Sequence, residues 1–264
     1  MEYSNISSTT FKKILTTASM CLVAFVLAGC ASKGLTTGSI TKLNKPLAQM
    51  NVGELNNAAK IVGAKYAKNP KSAPVAMQYA SILQMSSHSK QSLAVMQQAA
   101  IHNPEDRTVL AAYGKSLASA GHLEQALQTI KRAQTPDRPD WKLLSAEGAI
   151  LDQLGQTGQA RAKYREALDH QPNEPSILSN IGMSYLLAGD LRTAETYMRN
   201  ASKMPGADSR VRQNLALVVG LQGRFEEAEQ IARDELSTQQ AEANVAYLKG
   251  MISQNNSWKK LKKT

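Results

Sequence analysis

Cysteine, histidine and aromatic residues are scarce in this chain of 264 residues, and each shortage closes off a class of fold or chemistry. The two cysteines, Cys21 and Cys30, both lie near the N-terminus, so no disulfide staples the rest of the chain and packing must hold it. Aromatics make up 5% of the sequence, and alanine and leucine do most of the filling. Runs of alternating valine and isoleucine are missing, which argues against strands and for an all-α fold. The four histidines, His88, His102, His122 and His170, sit near no cysteine. There is no HExxH, no glycine-rich phosphate loop and no GxSxG elbow. His102 and His170 share one register just before a proline, where a cation favours a helix C-terminus. The expectation is that the chain is not an enzyme and carries no metal and no cofactor. Its net charge of +10 suits an anionic membrane surface, a nucleic acid or an acidic partner. Zinc-finger spacing, an aromatic-rich RNA-binding strand motif and a basic recognition helix are all lacking, so nucleic acid is set aside.

What the chain does have is a repeat. The stretch Trp141–Pro172 places Gly148, Ala160 and Ala167 where two antiparallel helices approach closely, with Leu144, Leu151 and Tyr164 as apolar bulk between them. Gly155 sits where the first helix must stop and turn. The pattern recurs at a fixed stride, which maps Gly148 onto Gly114, Gly182 and Gly250, with Ala80 and Ala216 in the same register. It maps Ala160 onto Ala126, Ala194 and Ala228, and Pro172 onto Pro70 and Pro104. A period of this length carrying small, aromatic and proline positions in this order resembles the tetratricopeptide repeat, which implies a superhelical α-solenoid of antiparallel helix pairs. The full repeats fall at about 73–104, 107–139, 141–172, 175–206 and 209–238. A helix at 53–68 precedes them, and a last helix near 241–254 caps the array.

The N-terminus reads as an address. Lys12 and Lys13 precede an apolar run from Ile14 to Ala28, the pattern of a secretory signal peptide. That run ends in Leu27-Ala28-Gly29-Cys30, which resembles a bacterial lipobox. The resemblance implies cleavage after residue 29, lipidation of Cys30 and a stable membrane anchor built from several acyl chains. Ala31 in place of aspartate implies, by resemblance to proteobacterial lipoproteins, sorting to the outer membrane. The chain then divides into a removed signal peptide (1–29), the lipidated cysteine with a polar tether (30–50), the repeat domain (51–256) and a basic tail (257–264). The tail, with four lysines around Trp258 and Leu261, is either a solvated extension or a contact for anionic lipid or an acidic partner.

In such a solenoid the first helix of each pair lines the inner face. The ninth places of the later repeats are Met183, Leu217 and Met251, the thirteenth places include Leu187 and Leu221, and Asn180 and Asn214 stand six places in. Methionines beside leucines suit a groove for an apolar peptide or helix, with the amides able to hold a peptide backbone. The same residues would equally serve as filler between repeats. At the fifth places stand Met77, Ala111, Ser145, Ser179 and Gln213. With no lysine among them, the capture of acidic C-terminal peptides used by one variety of this fold is excluded.

A lipobox followed by about five such repeats resembles the TadD-type lipoproteins of the tight-adherence (Flp) pilus system. The resemblance implies a periplasm-facing, outer-membrane scaffold that binds protein partners and helps place or stabilise the pilus secretin. Type IV pilus pilotins share the plan, and an adaptor for peptidoglycan enzymes or proteases also fits it.

Overall fold

The computed structural model describes residues 43, 45–135, 137 and 139–261. The signal peptide, the lipobox Leu27–Cys30 and most of the tether lie outside the described residues, as do residues 262–264. After a 3-10 turn at Leu47–Gln49 come twelve α-helices: α1 (Val52–Lys68), α2 (Ala73–Met85), α3 (Ser89–His102), α4 (Arg107–Ser119), α5 (Leu123–Ala133), α6 (Trp141–Gln153), α7 (Thr157–His170), α8 (Pro175–Leu187), α9 (Leu191–Ser202), α10 (Ser209–Leu221), α11 (Phe225–Arg233) and α12 (Thr238–Leu261). No strand occurs among the described residues. The architecture is the all-α tetratricopeptide-repeat fold.

The stride is visible in the backbone. Ser87, Gly121, Gly155, Gly189 and Gly223, each one repeat length after the last, all have positive φ. Each follows the first helix of a pair, and the next amide bonds back to a carbonyl five residues earlier: His88 to Leu83 at 2.8 Å, His122 to Leu117 at 2.9 Å, Gln156 to Leu151 at 2.8 Å and Asp190 to Tyr185 at 3.0 Å. This left-handed ending satisfies otherwise orphaned carbonyls and reverses the chain in a few residues. Four of the five positions are glycine because a left-handed residue suffers a Cβ clash. At their starts, helices are held by Asn51, Asp106, Asp190 and Asp208, whose side chains accept the first free amides.

The chain divides into two compact units, and the division falls within α6, between Ile150 and Leu151. In the N-terminal unit, Ala76, Ala80, Leu83, Val95, Met96, Ala99 and Val109 form a core between α2, α3 and α4. Ser92 stands where the other repeats have alanine, and its hydroxyl donates to the Ala80 carbonyl at 2.8 Å, so the departure is absorbed by a buried hydrogen bond. A second cluster corrects the extent assigned to the tether: Leu43, Leu47 and Met50 pack against Ala58, Val62, Val75 and Ile82. Residues 43 and 45–50 therefore pack with the folded body, tied further by Lys45 to Glu54 at 2.6 Å.

In the C-terminal unit the core is Leu186, Ala194, Met198, Leu215, Val218, Val219, Ala228 and Val245. Burying each large apolar side chain here contributes about 1.5–3 kcal/mol. Outside that core, Glu195 on α9 accepts from Arg199 at 2.7 Å, from Gln222 at 2.7 Å and from Arg224, while Arg199 and Arg224 also reach Glu227 on α11. The hydrogen bond from Arg224, aided by the others, holds the Glu195 carboxyl down at about 2. The last helix is longer than its sequence pattern indicated: α12 runs through to Leu261, so residues 257–261 continue a helix instead of opening a separate tail.

Candidate protein-binding face

Helices α8, α10 and α12 pack side by side in that order within the C-terminal unit and form one wall. The wall carries the residues expected of a groove: Met183 and Leu187 on α8, Leu217 and Leu221 on α10, and Met251 on α12. All five are half-buried. Met183, Leu217 and Leu221 pack by one side against the core cluster. These three therefore pack between repeats and keep part of their apolar surface open. The paired amides behave differently from an open peptide clamp. Asn214 donates its side-chain N–H to the Ser179 hydroxyl at 3.1 Å, tying α10 to α8, and Asn180 also has a partner within the chain.

One residue of this wall was missed. Tyr247 on α12 is 62% exposed, the one aromatic in the set of large apolar side chains left open among the described residues. It stands one repeat after Gln213, at the same place in its own repeat. The sequence register puts Tyr247 on the last helix, but the fifth-place set stops at Gln213, so it is not counted with the groove.

The repeat signature sorts into close contacts and one exception. Ala126, Ala160, Ala194 and Ala228 are fully or almost fully buried. A methyl added at Gly114 would lie 2.8 Å from the Ile130 side chain, and one at Gly182 would lie 2.8 Å from Met198 Cγ and 3.0 Å from the Ala194 carbonyl. Gly148 is likewise buried. Gly250 keeps the spacing without the contact: among the described residues nothing lies within 4 Å of an added methyl.

Beside the wall lies a buried polar cluster. Asp152, at the end of α6, accepts from the Tyr164 hydroxyl at 3.0 Å and from the Ser184 hydroxyl at 2.8 Å. Arg161 donates to the same Ser184 oxygen at 3.3 Å and lies over the Tyr185 ring, 4.7 Å from its centre. Tyr185 in turn stacks on Tyr197 with centroids 5.5 Å apart. Burial pushes the Asp152 carboxyl up to about 6, against the hydrogen bonds from Ser184 and Tyr164 and the charge of Arg161, which lower it. Burial pushes the Tyr164 hydroxyl well above its ordinary range. The cluster contains no nucleophile–base pair open to a substrate. It is a hydrogen-bonded joint between repeats. Among the described residues, no group of three or more histidine, cysteine or acidic side chains is placed to hold a metal ion, and no helix is long and apolar enough to cross a membrane.

Paired helices, a left-handed turn at every repeat and an apolar wall on successive first helices define a tetratricopeptide-repeat scaffold, a class that works by binding other proteins. Tetratricopeptide-repeat family profiles match residues 146–199 and 210–234. No curated protein sequence matches the chain. Among solved structures, the chain is similar to the APC/C heterotetramer Cut9–Hcn1, with a TM-score of 0.60 and 16% identity over 79% of this chain. It spans only 40% of that protein's length. It is also similar to PilW, described as a widely conserved type IV pilus biogenesis factor, with a TM-score of 0.56 and 17% identity over 68% of this chain and 83% of PilW. PilF of Pseudomonas aeruginosa aligns with a TM-score of 0.50 and 19% identity, over 69% of this chain and 82% of PilF. These likenesses define the fold.

Proposed function

We propose that this chain is an outer-membrane lipoprotein, anchored through Cys30, whose repeats face the periplasm and serve as a scaffold in assembly of a tight-adherence pilus. Its partner in this reading is the pilus secretin, which it helps to place or stabilise. The observation that carries the proposal is the sequence Leu27-Ala28-Gly29-Cys30 closing an apolar run ahead of a repeat array. The wall formed by α8, α10 and α12 offers apolar surface to a protein partner, and the chain shares its fold with a protein described as a type IV pilus biogenesis factor.

Two measurements test it. Replacing Cys30 with Ser is expected to move the protein from the membrane fraction to the soluble fraction; retention in the pellet removes the anchor. Deleting the gene is expected to abolish surface pili and secretin multimers, and normal pili reject the pilus role. The likeness to PilW favours a second reading, a pilotin of a type IV pilus. The secretin that co-purifies with the tagged lipoprotein decides between the two systems.

A further inference from the structure

From Leu55 to Pro104 the chain contains no aspartate or glutamate, yet it carries Lys60, Lys65, Lys68, Lys71 and Lys90. This acid-free stretch forms most of α1 and all of α2 and α3, the end of the array that follows the tether. All five lysines are exposed. The contrast with the C-terminal unit is sharp, since there Arg199, Arg212, Arg224 and Arg233 each pair with a glutamate.

Exposed apolar side chains collect in the same region. Of the five large apolar residues left exposed among the described residues, Val52, Ile61, Met85 and Ile101 all lie between residues 52 and 101. Along α1, Leu55, Ala58 and Val62 are buried, and Ile61, Lys65 and Lys68 follow at intervals of four and three residues along one flank of that buried stripe. Ile61 is 45% exposed and Ile101, at the end of α3, is 61% exposed. The Asn103 side chain donates to the Lys71 carbonyl at 3.4 Å, which brings the end of α3 beside the α1–α2 loop. Lys68, Lys71 and Ile101 therefore gather at one end of the helix bundle.

We infer that the flank of α1 bearing Ile61, Lys65 and Lys68, with the α1–α2 loop and the end of α3, docks on an anionic lipid surface. The lysines meet headgroup phosphates, and Ile61 and Ile101 enter the interfacial layer. Unpaired ammonium groups with aliphatic side chains set among them are what a bilayer interface attracts. Lysine presents a point charge suited to mobile headgroups, where a shaped acidic protein site would favour the planar fork of arginine. Leu43, the first described residue, packs beside α1, and residues 31–42 separate it from Cys30. Fully extended, that segment spans about 40 Å, which keeps α1 within reach of a bilayer holding Cys30. The inference rests on the anchor reading only for bringing a bilayer near, so the test is made without the lipid.

The probe is a pair of vesicle preparations, phosphatidylcholine alone and phosphatidylcholine mixed with phosphatidylglycerol, sedimented with residues 30–264 carrying Cys30→Ser. This chain contains every described helix, and circular dichroism checks that each variant keeps its helix content. The parent is expected to bind the mixed vesicles and not the neutral ones. Each near-surface lysine is worth about fivefold in partitioning, so Lys65, Lys68 and Lys71 all changed to Gln are expected to weaken binding by at least about thirtyfold at low salt. Binding that survives in this variant but is lost when the four lysines of residues 257–264 are changed to Gln overturns the inference in favour of the C-terminus. Absence of vesicle binding by the parent overturns it outright. Either result leaves the Cys30→Ser fractionation in cells to be judged separately.

Discussion

The Ser184 hydroxyl donates to Asp152 at 2.8 Å, joining α8 to the end of α6 across 32 residues of sequence. In neighbouring repeats the place of Asp152 is taken by Ala118 and Leu186, and that of its partner Tyr164 by Ile130 and Met198. A titratable group thus occupies a position that is otherwise apolar. Because burial raises the Asp152 carboxyl from 3.8 to about 6, the folded state holds its proton more tightly than the unfolded chain. Stability from this group is therefore full below the unfolded value and is lost as pH rises through about 6, a change of about 3 kcal/mol. Asp152→Asn keeps the shape without the charge. It is expected to raise the urea midpoint at pH 8 and to leave it nearly unchanged at acid pH. Equal shifts at both pH values contradict the assignment.

Two glycines in the same register make an opposed pair. At Gly182 an added methyl meets Met198 Cγ at 2.8 Å and the Ala194 backbone carbonyl at 3.0 Å, and the carbonyl cannot move aside. Overpacking of this kind costs about 1–3 kcal/mol, against a gain in helix propensity of about 1 kcal/mol. At Gly250 the methyl meets nothing within 4 Å, so only the propensity gain remains. Gly182→Ala is expected to lower stability and Gly250→Ala to raise it, both read from denaturant unfolding.

Much of this fold was legible because its turns recur. Gly155 marked the end of a helix in the sequence, and the positive φ shared by Ser87, Gly121, Gly189 and Gly223 has the same cause: one reversal geometry imposed once per repeat. Composition misled at the tether. Residues 31–50 are rich in serine, threonine, glycine and lysine, yet Leu43, Leu47 and Met50 supply apolar side chains that pack against α1 and α2. Tyr164 read as apolar bulk because its hydroxyl's partner, Asp152, lies on another helix, and no local pattern reports that hydrogen bond. The candidate face was found only in part. The repeat register puts Met183 and Leu217 on first helices, but whether such residues fill a seam or meet solvent depends on how neighbouring helices pack, and one side of each does the first.

Ser87 is the exception in the glycine series, with φ of 63°. A left-handed residue with a Cβ costs about 1 kcal/mol, and the following amide already makes the turn's hydrogen bond to Leu83. Ser87→Gly relieves the strain without disturbing that bond. The expected outcome is a gain of roughly 1 kcal/mol, about 2–4 °C in melting temperature. A fall in melting temperature shows that the serine side chain contributes more than the strain removes.

Tyr247 offers a cleaner test of the binding wall than the residues first assigned to it. Met183 and Leu217 pack partly against the core, so a charge at either position loosens the fold as well as the surface, and lost binding then has two explanations. Tyr247 is 62% exposed on the same wall, and removing an exposed ring changes stability by no more than about 0.5 kcal/mol. Large aromatics of this kind dominate protein interfaces, where truncation costs about 2 kcal/mol or more. Tyr247→Ser is therefore expected to leave the melting temperature unchanged and to reduce recovery of the proposed partner, the pilus secretin, on the tagged protein by about thirtyfold. Undiminished recovery with an unchanged melting temperature places the partner on another face of the repeats.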